Sequence, residues 1–221
     1  MAIGVDHVFA LAVVIVVLAW ITGTGHLVSL PFRLAAAPGT VVHEFAHKRA
    51  CDLVGVPVVE VEYFRLGSPA GYVRHGQPDR YRETFVISVA PFLVNTALSF
   101  VAFLALAAVA TTAADSRSSL EALLELLEVL GGASTPTLAL AIGLGWIGLA
   151  VGAKAFPSFG DANTLWTRSR AEWRRSPIVL LGIPVVVAIY VVNVLSWLWA
   201  DLLYAVGIAI VAFAVFGAVG L

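Results

Sequence analysis

Long apolar runs divided by short polar breaks make up most of the chain, and one alternating stretch departs from them. The first run extends from Val8 to about Ile21 and is followed by Thr22-Gly23-Thr24-Gly25. It has neither a basic start nor a small-residue cleavage site, so it is expected to be a retained first membrane span. A second run begins near Leu27, but Pro31, Pro38 and Gly39 interrupt it. A regular helix is therefore expected from Pro38 or Gly39 to Gly55. Val58-Val59-Glu60-Val61-Glu62-Tyr63-Phe64 then alternates with period two, and Tyr72-Val73-Arg74 follows a Gly67-Ser68-Pro69-Ala70-Gly71 turn. That pattern predicts a small β-hairpin beside the membrane.

Thr84 to about Ala110 reads as a third span, and Asp115 to Gly132 as an acidic, leucine-rich helix lying on the surface. Pro136 opens a fourth span ending near Phe156, whose Gly148-x-x-x-Gly152 allows close helix contact. Pro157 and Gly160 break the pattern, and Arg168, Arg170, Arg174 and Arg175 read as a basic loop. The last runs, Pro177 to Ala200 and Leu202 to Leu221, meet at Trp197 and Trp199, residues that favour a membrane interface. The whole predicts an all-α polytopic membrane protein with about six transmembrane helices and a small β-hairpin between spans two and three.

Composition agrees. Of 221 residues, 60% are hydrophobic and 12% charged, and the mean hydropathy is +0.95, leaving too little polar surface to cover a water-facing globule. A net charge of −1 gives no footprint for nucleic acid. The single cysteine, Cys51, excludes an internal disulfide framework and a cysteine zinc site, and reads as a small packing residue. Basic residues concentrate after the second span and around residues 154–175, whereas the 115–132 loop is acidic. The positive-inside rule then makes both basic loops and both termini cytoplasmic.

The strongest chemical signal is His43-Glu44-Phe45-Ala46-His47. Two imidazoles four apart on one helical face can grip a single ion, and Glu44 beside them can take a proton from a water bound to it. The motif thus points to zinc-assisted amide hydrolysis. A catalytic zinc needs a third protein ligand and one open position. The candidates are Asp161, Glu60, Glu62 and Asp52; Asp52 is about 140° round the helix from His47 and faces away. Glu60 and Glu62 share a solvent-facing side of the strand pattern, so Asp161 is taken, at the same expected depth and membrane side as the histidines. Asn95 within the third span either joins two helices by a hydrogen bond or holds substrate. The hairpin either adds an extended peptide as a further strand or simply caps the fold.

These motifs, in their order and spacing, resemble the site-2 protease family of intramembrane metalloproteases. The likeness covers about residues 38 to 165: His43-Glu44-x-x-His47, the Gly-Val-Pro-Val stretch, Ala70-Gly71-Tyr72-Val73-Arg74, Ala90-Pro91-x-x-x-Asn95 and a late aspartate. It implies a zinc-holding core near the cytoplasmic face that cuts transmembrane protein substrates after their helices unwind. On that likeness Asp161 is the third zinc ligand, Glu44 the catalytic base, Asn95 the asparagine near the site, and Gly71, Tyr72 and Val73 the β-loop that touches substrate. The chain as a whole is expected to divide into a first span at 1–26, a zinc-protease-like membrane core with β-loop and surface helix at 27–165, and a basic loop with two further spans at 166–221. Three departures stand out: Ala162 where the family has Asp-Gly, the lack of an inserted PDZ-like domain, and the two extra spans. A zinc-stabilised membrane scaffold or receptor and a zinc transporter are the competing expectations.

Overall fold

The computed structural model describes residues 14, 25–114, 131–174, 179–180 and 182–219. The expected first span, apart from Val14, and nearly all of the expected 115–132 surface helix lie outside them. Contacts divide the chain after Ala35. In the first unit, helix α1 (Gly25–Ala35) carries Pro31 inside it.

The second unit begins with α2 (Ala37–Val54), which starts with a proline in its first turn and ends at Gly55. Gly55 has φ 76°, the left-handed region, and this lets the Val56 N–H reach the Cys51 carbonyl at 3.0 Å. Strands β1 (Val58–Glu62) and β2 (Tyr72–His75) then form a two-stranded antiparallel sheet in which Val61 faces Val73 and Glu62 faces Tyr72. The hairpin read from alternation is therefore present between α2 and the next helix.

Helix α3 (Tyr81–Ala114) is the element to which the others attach; it packs on α2, on α4 (Thr135–Gly152), on α5 (Phe159–Glu172) and on α7 (Ala200–Val219). Small side chains allow that closeness, with Ala107, Ala110, Ala141 and Ala212 buried beside Phe103 and Phe213. A Cβ at Gly148 would sit 2.7 Å from the Phe103 ring, and one at Gly152 would sit 2.7 Å from Ser99 Oγ and 2.9 Å from the Ala205 methyl. The Gly-x-x-x-Gly pair is thus the seam where α4 meets both α3 and α7. Ser99 Oγ crosses it, donating to the Gly148 carbonyl at 2.8 Å. Cys51 is fully buried with Ala50, Val56 and Ile87, a packing residue as expected.

Among the described residues three helices are long and apolar enough to cross a membrane: 81–111, 135–152 and 200–219. About a third or less of each is buried, so their outer faces carry Leu93, Val101, Ile142 and Leu203 where a soluble bundle would carry charge. Among the described residues of the expected run from Pro177 to Ala200 lies α6 (Gly182–Leu195), 14 residues and about 21 Å long, followed by a 3-10 turn at Ser196–Leu198. This is short of the roughly 30 Å of a bilayer core. The stretch read as a basic loop is largely α5, because Arg168 pairs with Glu172 one turn on at 2.7 Å and Leu165 is buried beneath it against Tyr81 and Val186. A boundary at 165/166 would cut that helix in two.

Candidate metal centre

Helix α2 presents Glu44 and His47 inward, both buried, with His43 half-buried one turn before His47. The two rings stand edge to face, 4.9 Å between centroids. Each ring's Nδ1 meets a backbone carbonyl: His43 Nδ1 the Lys154 oxygen at 2.8 Å, His47 Nδ1 the Ile87 oxygen at 3.0 Å. A carbonyl only accepts, so each Nδ1 carries a proton and each Nε2 keeps its lone pair for a ligand.

Asp161 comes to the same place from α5. It is the third residue of that helix, and Ser158 is the N-cap: Ser158 Oγ accepts from the Asp161 N–H at 3.2 Å, while Asp161 Oδ2 accepts from the Ser158 N–H at 2.8 Å and from its hydroxyl at 2.6 Å. This capping box holds one carboxylate oxygen and leaves Oδ1 to face His47 Nε2 at 3.6 Å. Two donors 2.0–2.2 Å from a tetrahedral ion are about 3.3–3.6 Å apart. One ligand atom from each of His43, His47 and Asp161 lies within 4.8 Å of the other two, so the three could hold one metal ion after a small contraction. The signal Ser-x-x-Asp stands in the sequence, and reading it as a helix start would have anticipated both α5 and the pose of Asp161.

Of the other acids considered as third ligand, Glu62 does not line the site's cavity, and Asp52 and Glu60 are engaged elsewhere. Asp52 takes Lys48 at 2.7 Å, and Glu60 takes the Tyr72 hydroxyl and Arg74 Nη1, each at 2.7 Å. Among the described residues, only His43, His47 and Asp161 form a group of this kind.

A cavity of about 520 Å³ opens over these residues. Its walls include Gly71, Tyr72 and Val73 of the hairpin, Lys154 and Phe156 after α4, and Asn193, Ser196 and Asp201 from the C-terminal helices. A Cβ at Gly71 would fall 2.7 Å from Glu44 Cγ and 2.9 Å from the Tyr63 carbonyl, so only a glycine lets the hairpin backbone lie on the glutamate. Arg65 holds that turn together: its N–H donates to the Ala70 carbonyl at 2.7 Å, its Nε to Pro69 at 2.9 Å, and its guanidinium covers the Tyr72 ring at 5.2 Å.

Asn95 is placed differently from a substrate contact. It is fully buried, does not line the cavity, and its Nδ2 lies 3.0 Å from the Lys154 carbonyl and 3.2 Å from those of Gly39 and Val151. It therefore joins helices, because the end of α4 leaves carbonyls without an intrahelical donor.

On the exposed sheet, hydrogen bonds from Tyr72 and then Arg74 hold the Glu60 carboxyl below its usual range, and the same carboxylate raises the Tyr72 phenol above its own. A lowered acid stabilises the fold above its unfolded pKa and loses that contribution as pH falls through the folded value; the raised phenol loses its contribution as pH rises through its folded value. Amide protection factors across β1 and β2, each taken against the intrinsic exchange rate at the same pH, are accordingly expected to be highest near neutrality and lower at both extremes. Protection factors undiminished in strong acid would contradict the pairing.

Comparison with protein-family models, characterised proteins and solved structures finds no match. The geometry stands alone.

Proposed function

We propose that this protein is an intramembrane zinc metalloprotease of the site-2 protease type, embedded in the bilayer as a multi-pass protein and hydrolysing transmembrane substrates near the cytoplasmic face. One observation carries the reading: His43 and His47 converge with Asp161, more than a hundred residues later, beside a buried glutamate in a single cavity. Two imidazoles and one carboxylate fit zinc, and three ligands leave the open position of a catalytic site. A purely structural site would be closed by a fourth protein ligand and would have no use for Glu44.

Zinc bound there would polarise the scissile carbonyl and lower the pKa of a water to about 7. Glu44 then takes the proton of the attacking water and returns it to the leaving amine, a shuttle its place beside His43 and His47 suits. Helical amides are internally bonded, so the substrate has to be extended first. The sheet has only two strands, and Gly71-Tyr72-Val73 lines the cavity, so the free side of β2 offers an extended peptide a row of backbone partners. The cavity's polar walls at Ser158, Asn193, Ser196 and Asp201 give water a route to the ion.

The test is purified protein in detergent with a single-span substrate. Cleavage is expected to stop when a chelator is added and to return with zinc. Product formation indifferent to chelator excludes the metalloprotease, and zinc flux into sealed vesicles without product favours a transporter.

A further inference from the structure

Helix α3 carries Pro91 and Asn95 four residues apart, on one face. In a regular helix the residue at 91 would donate its N–H to the Ile87 carbonyl. Proline has no N–H, and its ring crowds that carbonyl. Ile87 is 3% exposed, so its oxygen would have no water to turn to. His47 Nδ1 stands 3.0 Å from it. The ring, 8% exposed, in turn needs a dry acceptor for its Nδ1 proton, and the freed carbonyl is that acceptor.

Asn95 does the corresponding service for His43. Lys154 lies just past the end of α4, and its carbonyl receives both Asn95 Nδ2 at 3.0 Å and His43 Nδ1 at 2.8 Å. A carbonyl has two lone pairs, so one can serve the amide and the other the ring. With the Val151 and Gly39 carbonyls also on the amide, Asn95 keeps the Lys154 oxygen in place between α2 and α4.

We propose that Pro91 and Asn95 are positioning residues for the metal, each securing the backbone carbonyl that fixes one histidine with Nδ1 protonated and Nε2 free: Pro91 through Ile87 for His47, Asn95 through Lys154 for His43. The inference rests on the metal-centre reading above and assigns a cause to the ring orientations on which that reading depends. Ligand orientation by a hydrogen bond on the far ring nitrogen is worth 10–100-fold in metal affinity at zinc sites generally.

The experiment uses full-length, zinc-loaded protein in detergent with 15N-labelled histidine, the rings assigned by His43→Gln and His47→Gln. Wild type is expected to bind one zinc through Nε2 of both rings, with both Nδ1 protons slow to exchange with solvent. Pro91→Ala removes the ring that crowds the Ile87 carbonyl and gives α3 back an N–H, so that carbonyl can turn back along the helix axis and away from His47 Nδ1. The His47 Nδ1 proton should then exchange at least about tenfold faster, that of His43 should be unchanged, and zinc should bind about tenfold more weakly. Because the alanine favours the helix, the metal-free protein should unfold at the same or a higher temperature, an opposition of sign that a merely structural role for Pro91 would not give. Asn95→Leu should loosen the His43 proton and spare that of His47.

Metal bound through Nδ1 of either ring in wild type overturns the proposal. So do variants that leave exchange and affinity at wild-type values, or that disturb both rings alike. A wild type that takes up no zinc sinks the metal-centre reading itself, whereas one that binds zinc but shows any of the preceding results sinks only this inference.

Discussion

Glu44→Gln is expected to reduce cleavage of a single-span substrate by about 10²–10⁴-fold while one zinc remains bound per chain. Glutamine keeps the shape of glutamate, which matters because the side chain is 9% exposed and its Cγ lies against the backbone of Gly71. Its amide cannot accept a proton at neutral pH, so the shuttle is lost while the ligands are untouched. Product measured by gel and zinc measured by chelator competition read the two effects separately. Loss of zinc together with activity would mean that Glu44 is needed to build the site, and undiminished cleavage would remove the glutamate from the mechanism. A scaffold would show no cleavage in either form.

Gly39→Ala should be the most damaging change that alters no chemical group. Its Cβ would fall 1.9 Å from the Ala150 carbonyl oxygen and 2.7 Å from that carbonyl carbon. Those are backbone atoms of α4, so no side chain can swing away; α2 and α4 would have to separate. Overpacking typically costs about 1–3 kcal/mol and occasionally more, and a contact of this severity belongs at the upper end. For a chain of this size that is a fall in Tm of roughly 5 °C or more. The effect should also reach the metal. Gly39 is one turn before His43, and its carbonyl is among the three that Asn95 engages, so separation of the helices draws His43 from the Lys154 oxygen. Zinc affinity is therefore expected to fall together with Tm. Gly207→Ala on α7 is the control, because a Cβ there meets nothing within 4 Å. Equal stability of the two variants would contradict the close approach of α2 and α4.

What the sequence allowed one to read divides by range. Helix α2, its stop at Gly55 and the hairpin after it follow from local rules, a proline near the start, a left-handed glycine at the end and a period of two, and the structure has all three. The Gly148-x-x-x-Gly152 seam was legible for the same reason. Asp161 was found by depth and charge, although the cap that poses it was not: Ser158 was passed over because Pro157 and Gly160 suggested a break instead of a beginning. Helix α5 was lost with it, since a run of arginines looks like a loop until Arg168 and Arg170 are seen on a helix whose Leu165 is buried. The roles of the Ile87 and Lys154 carbonyls could not be read at all, because backbone atoms carry no letter and their partners come from another helix. Asn95 was readable only as far as two options, and packing decided for the one that joins helices.

The division of the Asp161 carboxylate has one more consequence. With Oδ2 taken by Ser158, the residue can offer a single oxygen, and the remaining two donors are aromatic nitrogens. Calcium, which gathers six to eight oxygens, finds too few here, and magnesium, which prefers an octahedron of oxygens and surrenders its own waters reluctantly, finds the wrong kind. A serine that begins a helix would thereby narrow the choice of ion to the nitrogen-loving end of the transition series.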